Sequence, residues 1–349
     1  MGNKLKIGQF VSFGVGGADK CALNLIKGLL TIDEIEVIVF YNKYSHPRDD
    51  EQHSNPTRFN DYKSLPIKMF EINDVVELNN YGLDLLNTHR SGNDNWFLPN
   101  FENTDFNFKV LETNFHGYNQ TKSDYRVYPS KALLTKLQPC NIPYSVIPNP
   151  INTPVTDLNL KKELGILDKF VYGRIARPDA NIYSDINLKA YQKVQNEDTC
   201  FLYVAPNHKA ISDAKQLGLT NIIFLDPTSD EEMVSKIYNT FDVLCHSNFL
   251  GETFGNTIAE AMIYGKPIIT HIGTPSWTQA HIELVGDMTE LFITEDMVNK
   301  YAELMLRFKN DKMFYVNTAE YLKNRADNLY NYINVAKEYL KLYKQILCD

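Results

Sequence analysis

The chain has 349 residues, 44% of them hydrophobic and 22% charged, a length beyond one ordinary α/β core that suits two domains of roughly 150 residues each. A net charge of −8 with no cluster of Lys and Arg argues against a nucleic-acid platform and leaves room for peripheral membrane association at most. Five scattered cysteines with no Cys-x-x-Cys pair, no signal peptide at Lys4-Leu5-Lys6, Lys6 where a myristoylation motif wants Ser or Thr, and no apolar run near the roughly 18 residues of a membrane span point to reduced thiols and a cytoplasmic location.

In chain order, Ile7 to Phe13 reads as a buried strand, broken by Gly14-Val15-Gly16-Gly17. Asp19 to Leu30 then has the apolar spacing of a helix, and Glu36 to Tyr41 is a second strand. This β-loop-α-β opening is typical of a parallel sheet. Ser45 to Pro66, with His46, Arg48, Asp49, Asp50, Glu51, His53 and Arg58, reads as a polar mobile loop at the cleft. Leu83 to Thr88 and Phe108 to Asn114 read as later strands, each followed by a histidine, His89 and His116, where ligands of an open parallel sheet bind. Glu112 precedes His116 by four residues and is a candidate supporting group. The pattern stops at Val146-Ile147-Pro148-Asn149-Pro150, and the boundary falls near 150–165, followed by a helix-like Leu158 to Leu164.

A second series opens with Phe170-Val171-Tyr172, a strand running into Gly173-Arg174. Ile186 to Gln195 and Glu231 to Tyr238 read as helices; Cys200 to Val204, Ile222 to Leu225, Val243 to Cys245 and Ile268 to Thr270 read as strands. Thr257 to Tyr264 is a short helix stopped by Gly265 and Pro267, and helical pattern dominates from Glu295 onward. The expected domains are 1–152 and 153–329, with a C-terminal helix over about 330–349 packing back on the first.

Several chemistries can be set aside. No P-loop, Asp-x-Asp pair or His-Glu-x-x-His is present, and Asp19 stands where a dinucleotide fingerprint needs its third Gly or Ala. What is present is Gly251-Glu252-Thr253-Phe254-Gly255-Asn256-Thr257-Ile258-Ala259-Glu260-Ala261-Met262, then Gly265-Lys266-Pro267. Glu252 precedes a helix, Gly255 permits close backbone approach, Asn256 is the expected N-cap, and the amides of residues 255 to 257 form an anion site at the helix start. Glu260, about one turn in, suits the vicinal diol of a ribose. Two glutamates eight apart are ordinarily solvated; the Phe-Gly between them and the Gly-Lys-Pro stop turn the balance toward a nucleotide-sugar clamp.

This segment resembles the E-x7-E signature of the retaining, GT-B-fold glycosyltransferases of glycosyltransferase family 4. Gly16-Gly17 resembles the family's N-terminal glycine loop, Phe115-His116 its N-domain histidine, Ile147-Pro148-Asn149 its linker, Gly173-Arg174 the arginine opening its second domain, and Ser247 the serine before its first glutamate. The resemblance implies two Rossmann-like α/β domains with parallel sheets facing a central cleft. It also implies metal-independent, retaining transfer of a hexose-type sugar by an enzyme of EC class 2.4, without a cofactor. The donor would be a UDP- or GDP-sugar; the acceptor a glycan, a lipid-linked compound or a small molecule. His116, Arg174 and Glu252 would be catalytic. Gly16, Gly17, Arg174, Arg177, Lys209, Leu225, Phe254, Gly255, Asn256, Thr257 and Glu260 would bind the donor, with the loop Asp226-Pro227-Thr228 near the base. No residue would bind a metal.

Two departures keep alternatives open. The lysine usual about six residues after the Gly-Arg arginine is missing from Ile175 to Asn181, leaving Arg177 or Lys209 as its substitute, and Pro150 replaces the linker glycine. A non-catalytic nucleotide-sugar-binding relative and an NAD-dependent oxidoreductase or epimerase on a similar sheet remain the rivals.

Overall fold

A computed structural model describes residues 4–14, 16–45, 56–91, 98–136, 141–154 and 156–348. Met1-Gly2, Val15, Cys140 and the run of His46, Arg48, Asp49, Asp50, Glu51 and His53 lie outside them.

The chain divides into two compact units, one of residues 1–151 with 329–349 and one of residues 152–328. The first contains β1 (Leu5–Phe10), α1 (Gly17–Leu29), β2 (Ile35–Tyr41), α2 (Pro56–Lys63), β3 (Lys68–Glu71), β4 (Leu85–Thr88), β5 (Lys109–Thr113), β6 (Tyr125–Tyr128), α3 (Lys131–Leu134) and β7 (Tyr144–Val146). Its seven strands are parallel, in the order β3-β2-β1-β4-β5-β6-β7. Strand order reverses beside β1, so Gly14 and Gly16-Gly17 follow that strand beside the switch point, where ligands of such sheets bind.

The second unit contains β8 (Phe170–Ile175), α4 (Ile186–Val194), β9 (Thr199–Val204), α5 (His208–Gln216), β10 (Ile222–Leu225), α6 (Glu231–Thr240), β11 (Val243–Cys245), α7 (Asn256–Ile263), β12 (Ile268–His271), α8 (His281–Val285), β13 (Phe292–Ile293), α9 (Met297–Asn310) and α10 (Lys312–Leu329). Its parallel order is β10-β9-β8-β11-β12-β13. Here β8 and β11 flank the switch point, and Arg174 near the end of one strand and His246 just past the other leave the sheet side by side. The β9 run Thr199–Val204 is buried throughout, the mark of a central parallel strand. Helices α5 and α6 begin on side-chain caps, Asn207 accepting from the Ala210 amide at 2.8 Å and Asp230 from that of Met233 at 2.6 Å.

The last helix, α11 (Tyr332–Cys348), belongs to the first unit. The chain returns through backbone hydrogen bonds between Ile151 and both Tyr330 and Tyr332, at 2.7 and 3.0 Å. Val335, Ala336, Tyr339, Leu342, Tyr343 and Ile346 then enter the core beneath β1 and α1. The hydroxyl of Tyr343 accepts from Gln9 and Asn87, polar groups that would otherwise be stranded inside the sheet. Gly28 permits this close packing, since a Cβ there would lie 2.5 Å from the carbonyl oxygen of Tyr332.

Leu158 to Leu164, expected as a helix, is instead a single turn. Gly165, at φ +69°, ends it with the Ile166 amide bonded back to the Lys161 carbonyl. The strands β3, β6, β7 and β13, each two to four residues long, escape the periodicity reading, because such runs are too short to show alternation.

Candidate functional site

Strand β8 explains why Gly and Arg stand together. Alternate residues face opposite sides of a sheet. Gly173 faces Phe241, whose ring would lie 2.0 Å from any added Cβ. Arg174 faces the other way, opposite Tyr203 of β9, with its guanidinium carbon 5.1 Å from that ring's centre. Arg174 is 2% exposed, its Nε is buried without a hydrogen-bond partner, and no carboxylate among the described residues pairs with it. A buried, unpaired guanidinium is a costly arrangement that persists where an anion completes it.

Glu252 lies in the loop between β11 and α7. Its Oε1 accepts from Asn248 Nδ2 at 2.8 Å and sits 3.0 Å from His246 Nε2, while Oε2 takes no hydrogen bond from the described residues. The side chain stays 25% exposed. Burial works to raise its pKa, but the hydrogen bond and charge of His246, with the Asn248 amide, hold it below the usual carboxylate value. The backbone is fixed as well: the Glu252 carbonyl accepts from the Ala280 amide at 2.9 Å, and Gly251, at φ +98°, is so close to the Thr278 carbonyl that a Cβ would lie 2.4 Å from its oxygen.

Helix α7 starts at Asn256, and its N-cap is Gly255 in the left-handed region at φ +110°, not Asn256. The left-handed turn needs a glycine, and the space beside it is filled, since a Cβ would come within 2.9 Å of Leu284. Glu260 lies one turn in, 7% exposed, with Oε2 accepting the Tyr238 hydroxyl at 2.7 Å. Phe254 is buried, and the Thr257 carbonyl lies 3.3 Å from the same tyrosine hydroxyl.

The other expected residues are distributed as follows. Ser247 is buried and donates to the Ser184 carbonyl at 3.1 Å. Lys209 is at the start of α5 with its ammonium on Asp213 at 2.7 Å, and Arg177 is 66% exposed with Asp179 at 4.0 Å. Leu225 ends β10, half-buried. In the first unit, Gly16 caps α1 and Gly17 opens it, while His116 is exposed just past β5. His89 bonds Gln9 at 2.9 Å, and its burial pushes the imidazole down to about 3. Glu112 is fully buried, bonded to Thr88 and ion-paired with Arg90 at 3.2 Å.

Three features were missed from the sequence. His246, His271 and His281 cluster below Glu252, with the rings of His246 and His281 5.9 Å apart. His271 Nδ1 faces the Ile272 carbonyl at 2.8 Å, and His281 Nε2 faces the His271 carbonyl at 2.9 Å. No group of three or more His, Cys, Asp and Glu among the described residues is arranged to hold a metal ion. The second is Tyr238, which holds Glu260 from α6. The third is Asp19, read only as a break in a fingerprint. It accepts from Ser12 and fills the space beside Gly14, where a Cβ would lie 2.6 Å from its Oδ2; burial raises its pKa against the pull of Ser12 and Arg58. Histidines and tyrosines carry no spacing signature, so only contact reveals such roles.

Burial holds His271 and His281 at about 4, against an ordinary 6.5. Between those values the unfolded chain binds protons that the native chain does not, so the stabilisation is whole at neutral pH and is lost as pH falls. The loss is on the order of 2 kcal/mol per histidine by pH 5. Urea unfolding should therefore show a lower midpoint at pH 5 than at pH 7; equal midpoints would refute burial of neutral imidazoles.

The architecture is shared with known proteins. The chain is 16% identical to Anabaena HepE solved with UDP and glucose, with a TM-score of 0.72 over 98% of this chain and all of that one. A glycosyltransferase from Rickettsia africae gives a TM-score of 0.74 at 16% identity over 99% of both chains. The fold is thus that of the GT-B glycosyltransferases, two parallel-sheet α/β units. The O-antigen chain mannosyltransferase C of Escherichia coli is 30% identical over 135 residues, 34% of each chain, so the match spans about a third of that curated relative's length. Residues 170–311, which include Arg174, Glu252 and Glu260, match the family described as glycosyl transferases group 1.

Proposed function

We propose that the chain is a glycosyltransferase that moves a hexose-type sugar from a nucleotide-diphosphate donor, a UDP- or GDP-sugar, to a hydroxyl of a glycan, lipid-linked or small-molecule acceptor, with retention of configuration and without a metal. The observation that carries this reading is the buried guanidinium of Arg174, without a carboxylate partner among the described residues, beside the switch point of the second sheet. Sugar transfer leaves a nucleoside diphosphate, so negative charge grows on the β-phosphate, and a fixed buried cation stabilises that charge more than a solvated one does. The amino end of α7 adds backbone amides to the same task. Glu252 offers Oε2 to the sugar hydroxyls, and Glu260, steadied by Tyr238, offers its carboxylate to the ribose. His116 and the Gly16-Gly17 amides are assigned to the donor by the family resemblance alone. Arg177 or Lys209, once drawn from its carboxylate partner, supplies the second cation.

Retention follows by front-face attack: the acceptor hydroxyl approaches on the side the diphosphate leaves, and a phosphate oxygen takes its proton. The protein then works by position and electrostatics, with no covalent intermediate. The absence of an Asp-x-Asp pair in the sequence supports the metal-independent route. UDP and glucose in the HepE complex, and the glycan named for the mannosyltransferase, support the donor and acceptor classes.

The test is a thermal-shift panel of UDP-, GDP-, ADP- and TDP-sugars and NAD(H), followed by turnover with the donor that shifts most. A ligand at about 100 times its Kd adds about 2.7 kcal/mol of stability, a shift of several degrees. A response to NAD(H) alone would replace the reading with a dehydrogenase. Donor binding with neither transfer nor hydrolysis would leave a non-catalytic relative.

A further inference from the structure

We propose that His246 is a positioning residue for sugar transfer: it locks one oxygen of the Glu252 carboxylate so that the other is presented, already oriented, to the donor sugar. This rests on the glycosyltransferase reading above and adds to it a residue outside the family signature.

The geometry is specific. His246 is the first residue past β11, and its backbone is held on both sides: its amide donates to the Ile269 carbonyl at 2.9 Å, and its carbonyl accepts the Tyr301 hydroxyl at 3.0 Å. The ring is held too, with Nδ1 2.9 Å from the Thr270 hydroxyl of β12 and Nε2 3.0 Å from Glu252 Oε1. Nε2 is the ring nitrogen that faces the carboxylate, so a proton carried there points at Oε1. Asn248 donates to the same Oε1, and its own Oδ1 accepts the Leu250 amide at 3.0 Å, so both donors are fixed. Oε2 is left without a hydrogen bond from the described residues on a side chain that remains a quarter exposed. A glutamate side chain otherwise gives up substantial rotamer freedom when it binds a ligand; here that freedom is removed before the sugar arrives, which is the general benefit of preorganisation. Outer partners that orient metal ligands change activity by about 10–100-fold when removed, and a partner that orients a sugar-binding carboxylate is expected to act on the same scale.

The experiment compares His246→Phe, which keeps the ring and removes both nitrogens, His246→Gln, which restores an amide donor in reach of Glu252, Glu252→Gln, and the His246→Phe/Glu252→Gln double variant. Three quantities are read: kcat/KM with the nucleotide-sugar donor, Kd for the matching nucleoside diphosphate, and melting temperature. His246→Phe should lower kcat/KM by about 10–100-fold while leaving the diphosphate Kd within about twofold, because the proposed arrangement puts Glu252 on the sugar and Arg174 on the diphosphate. His246→Gln should recover most of the loss, and the double variant should be no worse than Glu252→Gln alone, since the histidine acts only through that carboxylate. Should His246→Phe fail to fold, Thr270→Val, which removes only the partner of Nδ1, should show the same pattern at smaller amplitude. Additive losses in the double variant, equal activity of the Phe and Gln variants, or a loss confined to diphosphate affinity would overturn the positioning role with the glycosyltransferase reading intact. A wild-type protein that binds no nucleoside diphosphate would overturn both.

Discussion

Arg174→Met should make the ligand-free protein more stable while weakening donor binding. The substitution keeps the length of the side chain against Tyr203 and removes a charge that is buried, without a carboxylate partner among the described residues and unsatisfied at Nε. Replacing a buried ion pair with hydrophobic groups of similar volume is often neutral or stabilising by about 1–4 kcal/mol, and removing a buried charge should act in the same direction, as a rise in Tm. Affinity for a nucleoside diphosphate should fall by about 10–100-fold, the loss of one or two charge-assisted hydrogen bonds, and kcat/KM by roughly 10²–10³-fold, the usual cost of removing a preorganised donor from a developing negative charge. Differential scanning calorimetry and titration calorimetry on the same preparation check both halves. The opposite pairing, a protein that melts earlier and binds the diphosphate normally, would make Arg174 a structural cation and remove the main support for the proposed reaction.

Glu252→Gln should separate sugar recognition from nucleotide recognition. The amide oxygen of glutamine can take the place of Oε1 under His246 and Asn248, so the loop should keep its fold and the melting temperature should stay close to that of the parent. The amide nitrogen then occupies the place of Oε2 and turns an acceptor toward the sugar into a donor. Buried or preorganised polar mismatches of this kind cost a few kcal/mol, so kcat/KM should fall by about 10²-fold or more, with the Kd for the free nucleoside diphosphate unchanged within about twofold. Because Glu252 is held below the usual carboxylate value, it stays ionised through that range, and the parent's activity should show no acid limb from this residue above about pH 4.5. A Gln variant that transfers sugar at the parent's rate would dismiss Glu252 from the site.

Much of the architecture was legible from local pattern. Ile7 to Phe13 followed by glycines and an amphipathic run declared a β-loop-α unit, and Gly173-Arg174 ending a strand placed a cation where parallel sheets bind ligands. The segment from Gly251 to Pro267 was readable because it combines a left-handed glycine, a helix start and a helix stop within one window. The one local error there, Asn256 as N-cap, arose because asparagine is the commoner capping residue, whereas Gly255 is required by a backbone angle that no residue name reports.

By itself, then, the sequence determined the residue types that chemistry needs and their order along the chain: a guanidinium, two carboxylates, glycines at the turns, and hydrophobic periods that fix strands and helices. The tertiary structure alone decided which of those groups are paired. Among the described residues Arg174 has no carboxylate partner and Lys209 is paired with Asp213, though both are simply cations in the sequence. Glu252 and Glu260 look alike in one dimension, yet one is anchored by His246 and Asn248 and the other by Tyr238. The reason is physical: the energy of a charge depends on the dielectric and on the donors around it, and folding brings Tyr203 of β9 to Arg174, Tyr238 of α6 to Glu260 and Thr270 of β12 to the histidine that holds Glu252.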